Sequence, residues 1–100
     1  MPVTSIATYS DAGHGWGKVP LKTLKELGIE KEISLGSYVR GEYAYLEEDC
    51  DMSIFFNALQ SRDLKLKMRH HSANKQSRIR NYNSYNADRI DWSANPPRMK

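Results

Sequence analysis

The chain has 100 residues, 39% of them apolar and ten of them aromatic, with a formal net charge of +3. That length suits one domain with a shallow core and leaves no room for two. No apolar run approaches the roughly 20 residues of a membrane span, and the single cysteine excludes an internal disulfide and suits a reducing cytosol. The charge is divided: residues 1–60 hold five Lys/Arg against nine Asp/Glu, net −4, and residues 61–100 hold ten against three, net +7. A basic second part points to an anionic partner, either nucleic acid or an acidic protein face, or to a face needed only for solubility.

Taken in chain order, the N-terminus shows no basic segment followed by an apolar stretch, so a signal peptide is not expected. Residues 4–9 read as a first strand. Residues 11–19 alternate, with Gly13, Gly15 and Gly17 on one side and His14, Trp16 and Lys18 on the other. This is either a strand whose glycine face takes close packing or a loop. Pro20 suits a helix start, Leu21, Leu24 and Leu27 form one apolar stripe, and Gly28 with Ile29 supplies a Schellman ending.

Residues 33–39 and 43–46 are predicted as two strands joined around Arg40-Gly41-Glu42. Tyr43 and Tyr45 share one face of the second, and Ala44 and Leu46 the other. A second helix follows, with Glu47, Glu48, Asp49 and Asp51 at its positive end. Met52, Phe55, Phe56 and Leu59 keep the spacing of a core-facing stripe. Residues 64–70 alternate strictly, so Leu64, Leu66 and Met68 point inward while Lys65, Lys67 and Arg69 form an outward basic stripe. Residues 72–85 are polar, with Ile79 and Tyr82 as core anchors. Residues 86–100, with Trp92, Pro96 and Pro97, read as a tail that orders only against a partner or the domain's own surface. The expected fold is α+β, a small antiparallel sheet with two helices and a basic C-terminal tail. Residues 1–85 form the domain and residues 86–100 the tail.

The pattern His14-Gly15-Trp16, Val19-Pro20, Leu27-Gly28-Ile29, Ser37-Tyr38-x-Arg40-Gly41, Tyr45-Leu46-Glu47-Glu48-Asp49-Cys50-Asp51, then His71, Asn74, Ser77 and Ile79-Arg80-x-Tyr82 resembles small uncharacterised proteins encoded by bacteriophages and other mobile elements. The resemblance spans residues 9–85 and is most specific at residues 45–51. It implies a setting, an accessory protein in the cytoplasm of a host bacterium, and no particular activity. Small proteins of that setting often act by binding, including inhibition of host defence.

Enzyme readings fail on detail. Gly13-His14-Gly15-Trp16-Gly17-Lys18 has three residues between its outer glycines and Val19 after the lysine, whereas a phosphate loop needs four and a Ser or Thr. His14, His70, His71 and Cys50 match no zinc spacing, and neighbouring His70 and His71 on a strand point opposite ways. Cys50 in the first helical turn is expected to be a buried structural cysteine. No catalytic residue, metal or cofactor is expected. The strongest constellation is Lys65, Lys67 and Arg69, followed by Lys75, Arg78 and Arg80, with Tyr82, Tyr85 and Trp92 interleaved. Such a surface neutralises phosphates and stacks on bases, or pairs with acidic protein patches. The expected contact set for a host protein, a protein–nucleic-acid complex or nucleic acid itself is Lys65, Lys67, Arg69, Lys75, Arg78, Arg80, Tyr82 and Trp92.

Overall fold

The computed structural model describes residues 3–72 and 77–94. Val3, Thr4, Ile6, Thr8 and Tyr9, all β-branched or aromatic, favour β1 (Val3–Ser10), which turns back into β2 (Gly15–Pro20). Asp11 closes that turn: its carboxylate accepts the N–H groups of Gly13 and His14, each at 3.0 Å. The loop-or-strand alternative for residues 11–19 thus resolves into a turn followed by a strand. Gly17 is needed where it stands, because a Cβ there would lie 2.4 Å from the Met52 sulfur.

Pro20 ends β2 and caps α1 (Leu21–Leu27), which buries Leu21, Leu24 and Leu27. Gly28 leaves the helix at φ 73°, and the N–H groups of Gly28 and Ile29 donate to the Lys25 and Leu24 carbonyls, as the Schellman ending requires. The chain then forms β3 (Tyr38–Arg40) and β4 (Tyr43–Glu47), α2 (Asp51–Ser61) and β5 (Lys65–Ser72). A 3-10 turn (Arg78–Asn81), the two-residue β6 (Asn83–Ser84) and 3-10 turns Ala87–Arg89 and Trp92–Ala94 complete it.

The fold is α+β: a six-stranded sheet in the order β5-β1-β2-β4-β3-β6 with two helices. Ile6, Val19, Ala44 and Leu46 on one sheet face share a buried cluster with Leu21, Leu24, Phe55 and Leu59, so both helices cover that face. No helix of the described residues is long and apolar enough to cross a membrane.

The structure corrects four expectations. The sheet is mixed: β5 pairs with β1 in parallel, while the other four pairings are antiparallel. The cause is α2, which carries the chain from β4 over the sheet to its far edge. β5 therefore repeats the direction of β4, which β2 makes the direction of β1. Second, of residues 33–39 only Tyr38 and Val39 enter a strand. Exposed Ser34 and buried Ser37 both bond Asp51, which takes the preceding backbone out of the ladder.

Third, Phe56 is 44% and Met68 42% exposed, and Met52, Leu64 and Leu66 are only half-buried. Asp51, Phe55 and Leu59 define the inner side of α2 and leave Phe56 on its flank, beside the outermost strand. Fourth, Cys50 is exposed and caps α2, while its neighbour Asp51 is 1% exposed. The carboxylate takes the inward position because the serine donors are there to meet it.

The chain past residue 85 is held by the domain's own surface as far as residue 94. Tyr85 is fully buried, and Ala87, Ile90 and Trp92 pack against the main core. The Trp92 ring nitrogen donates to the Ala87 carbonyl at 3.0 Å. Residues 95–100, including the two prolines of the expected tail, lie outside the described residues.

Phe55→Ala is expected to cost about 3–5 kcal/mol by cavity formation, and Phe56→Ala less than about 1 kcal/mol. Urea denaturation of the two variants separates the inner side of α2 from its flank. Asp51→Ala strips the acceptor from Ser34 and Ser37 and is expected to cost on the order of 3 kcal/mol, read in the same assay.

Candidate partner-binding face

The sheet face opposite the helices begins at β5. Alternation puts Lys65, Lys67, Arg69 and His71 on it, all exposed. Register places Lys67 beside Ser5, Arg69 beside Ala7 and His71 beside Tyr9. Ala7 in turn lies beside Lys18, and Lys18 beside Tyr45. One cross-strand row thus reads Arg69, Ala7, Lys18, Tyr45, Tyr38, and the small Ala7 leaves the cations on either side about 10 Å apart by strand spacing. Among the described residues, none of Lys65, Lys67 and Arg69 forms an ion pair with a carboxylate.

Beyond the basic row the face is aromatic. Trp16, Tyr45 and Ile79 form a second buried cluster, with Tyr9, Tyr38 and Tyr82 packed against it. Burial and the neighbouring Tyr82 hold the Tyr45 hydroxyl above its ordinary pKa. Tyr9 stacks on His71 with centroids 5.1 Å apart and planes at 20°. Cations lie over several rings: Lys18 Nζ is 4.3 Å from the Tyr43 centroid, and the Arg40 guanidinium 5.1 Å from that of Tyr82.

The chain finds no match in a scan against protein-family models, nor in searches of curated proteins and of solved structures.

The expected contact set separates in space. Lys65, Lys67 and Arg69 stand together, and Arg78 is exposed on its 3-10 turn. Lys75 lies outside the described residues. Arg80 is already engaged: its Nε and Nη2 donate to the two Asp11 oxygens at 2.8 and 2.9 Å, and its guanidinium lies 5.5 Å from the Trp16 centroid. Tyr82 is half-buried between Tyr45 and Arg40. Trp92 packs with α1, on the helix side of the sheet, with Lys25 Nζ 5.9 Å from its centroid. Tyr85, read as an interleaved aromatic, is a core residue whose hydroxyl donates to the Glu30 carbonyl. Sequence reasoning missed Lys18, Arg40 and Tyr9, which lie in the acidic part of the chain and join the basic stripe only through strand register.

No group of three or more His, Cys, Asp or Glu side chains among the described residues is placed to hold a metal ion. On the helix side, a groove of about 560 Å³ runs between α2 and the β1–β5 edge, lined by Met52, Phe56, Leu66, Met68 and His70. Thr8 Oγ1 and His70 Nδ1 are hydrogen-bonded across its floor at 2.7 Å.

Asp11 is the titrating lock of the open face. The Arg80 guanidinium first, then the Ser77 N–H, hold its carboxyl well below the usual carboxylate range. A depressed native pKa means stabilisation that is complete above the unfolded value of about 3.9 and is lost progressively as pH falls toward the native one. Asp11→Asn is expected to flatten the acid side of the stability–pH curve below about pH 4. Denaturation followed from pH 7 to pH 2 reads the difference; parallel acid limbs in the two proteins would contradict it.

Proposed function

We propose that the chain is a non-catalytic binding protein of bacteriophage or mobile-element type, acting in the bacterial cytoplasm. It docks on a host protein or protein–nucleic-acid complex through the basic stripe of β5 and modulates that complex, host defence machinery being the class its resemblance suggests. The observation that carries the reading is the row Lys65, Lys67, Arg69, exposed, unpaired among the described residues and set on a strand rather than on a floppy loop. Cations held on a strand and not neutralised within the fold keep their attraction for an anionic partner and steer its approach. A strand also spaces them evenly, so they suit a surface whose own charges are regularly placed.

A second reading, direct binding of nucleic acid, is favoured by one observation. The Tyr9–His71 ring pair lies on the same face as the cations, where unstacked bases would find π-surfaces beside phosphate contacts.

The test is capture from bacterial lysate with and without nuclease, using the wild type and the double variant Lys67→Glu/Arg69→Glu. The variant is expected to melt like the wild type, because both positions are exposed. A protein retained after nuclease and lost with the variant supports the first reading. Loss of every partner on nuclease treatment supports the second. With the purified partner, the variant is expected to bind at least tenfold more weakly at low salt, and the deficit shrinks as salt screens the charges. Equal binding of both proteins at low salt would reduce the stripe to a solubility face.

A further inference from the structure

We propose that β5 is a docking edge, to which an extended segment of the partner adds as a seventh strand, with acidic residues on the open face alternating with apolar residues on the helix face. The inference rests on the reading that the partner is a protein, and specifies how it is held.

The edge itself comes first. β5 ends the sheet and is hydrogen-bonded to β1 alone among the described strands. It runs eight residues, in register with β1 from Val3–Lys65 to Ser10–Ser72, with no bulge. Edge strands are commonly short, bulged or covered, because their outer N–H and C=O groups are a template for another strand. β5 is long and unbroken, no described strand pairs with its outer side, and the protection it has among the described residues is its charged side chains.

The two faces of that edge ask for different chemistry. On the open face stand Lys65, Lys67 and Arg69. On the helix face Met68 and Phe56 are two of the four exposed large hydrophobics of the described residues, and with Leu66 and Met52 they border the 560 Å³ groove. A strand laid along β5 has its own side chains alternating between the same two faces. Directly opposed cross-strand Cβ atoms lie about 5 Å apart, close enough for carboxylates to pair with Lys67 and Arg69. The intervening residues then cover Met68 and Phe56 and close the open side of the groove. Main-chain hydrogen bonds provide attachment, and the alternation provides selectivity.

Charge also decides against the obvious competitor. A second copy pairing through β5 sets the same three cations against themselves, and like charges directly opposed destabilise a ladder. The stripe therefore repels its own kind while admitting an acidic strand, a form of selectivity by repulsion as well as attraction.

The probe is a fluorescein-labelled peptide of alternating Glu and Val, the length of β5, compared by fluorescence anisotropy with a peptide of the same composition in two blocks. Two further versions carry N-methyl groups on alternate amides, one on each edge of the extended peptide. The alternating peptide is expected to bind the full chain at least tenfold more tightly than the block peptide. One N-methylated version should lose binding and the other keep it, because strand addition uses one edge. Lys67→Glu/Arg69→Glu should abolish binding, and Phe56→Ser should weaken it severalfold with an unchanged melt. Equal binding of the alternating and block peptides, or of both N-methylated versions, overturns strand addition and leaves the protein-binding reading standing. No binding of the alternating peptide overturns it as well. Tight binding of an oligothymidylate that neither peptide displaces, with no nuclease-resistant partner, overturns both. A free chain that sediments as a dimer which the peptide does not dissociate assigns the edge to a second copy and also overturns the proposal.

Discussion

The fold turns on one buried charge. Asp51 is 1% exposed, at the start of α2, and its carboxylate accepts from the Ser34 N–H, the Ser34 hydroxyl and the Ser37 hydroxyl. A carboxylate out of water is tolerated only with such donors around it. Ser37 passes the connection on: its hydroxyl accepts the Glu47 N–H at 2.8 Å, and its carbonyl accepts the Tyr85 N–H at 2.8 Å. The loop before β3, the end of β4, the start of α2 and the C-terminal segment are thus joined through Asp51 and Ser37. Tyr85 adds a second tie through its hydroxyl on the Glu30 carbonyl, and burial pushes that hydroxyl above its ordinary pKa. Fixing the first turn of α2 fixes which residues it buries, and hence why Phe55 and Leu59 enter the core while Phe56 does not.

Much of this architecture was legible where the deciding forces are local. Leu21, Leu24 and Leu27 with Pro20 and Gly28 announce α1 because stripe, start and stop all lie within nine residues of one another. The alternation from Leu64 to His70 announces β5 for the same reason, and it locates the basic stripe. What was not legible depends on residues far apart in the chain. Nothing near Arg80 says that Asp11 neutralises it, and nothing near Lys18 says that Arg69 stands one strand beyond its neighbour. The reversal at Cys50 and Asp51 has the same origin: by residue type alone the cysteine is the inward one, and only the positions of Ser34 and Ser37 reverse that preference. Strand direction was invisible as well, since an alternating pattern is identical in parallel and antiparallel ladders.

The two faces of the sheet divide the work. One carries the helices and the aliphatic core. The other carries rings that are packed on one another and partly roofed by the turn holding Ile79 and Arg80, with cations lying over Tyr43, Tyr82 and Trp16. Those cations are held in place by the rings, whereas the ones on β5 are not, and this difference separates the structural part of the face from the part left to a partner. Arg80 illustrates the distinction: its charge counts in the composition, yet Asp11 cancels it within the fold.

The parallel pairing of β1 with β5 also sets the order in which the chain can be completed. β1 is an inner strand of the finished sheet, but its outer neighbour begins at Lys65, and the bond between Thr8 and His70 spans 62 residues. The β1–β2 hairpin needs only the local turn at Asp11, whereas the outer flank of β1 has its partner in the chain only once residues 65–72 exist. Closing so long a loop is the slow kind of step in sheet assembly, and a waiting strand flank is where nascent chains adhere to one another. The strand that covers it, β5, is the most cationic strand of the sheet. It gives the finished sheet an edge whose like charges oppose pairing with another copy of the chain.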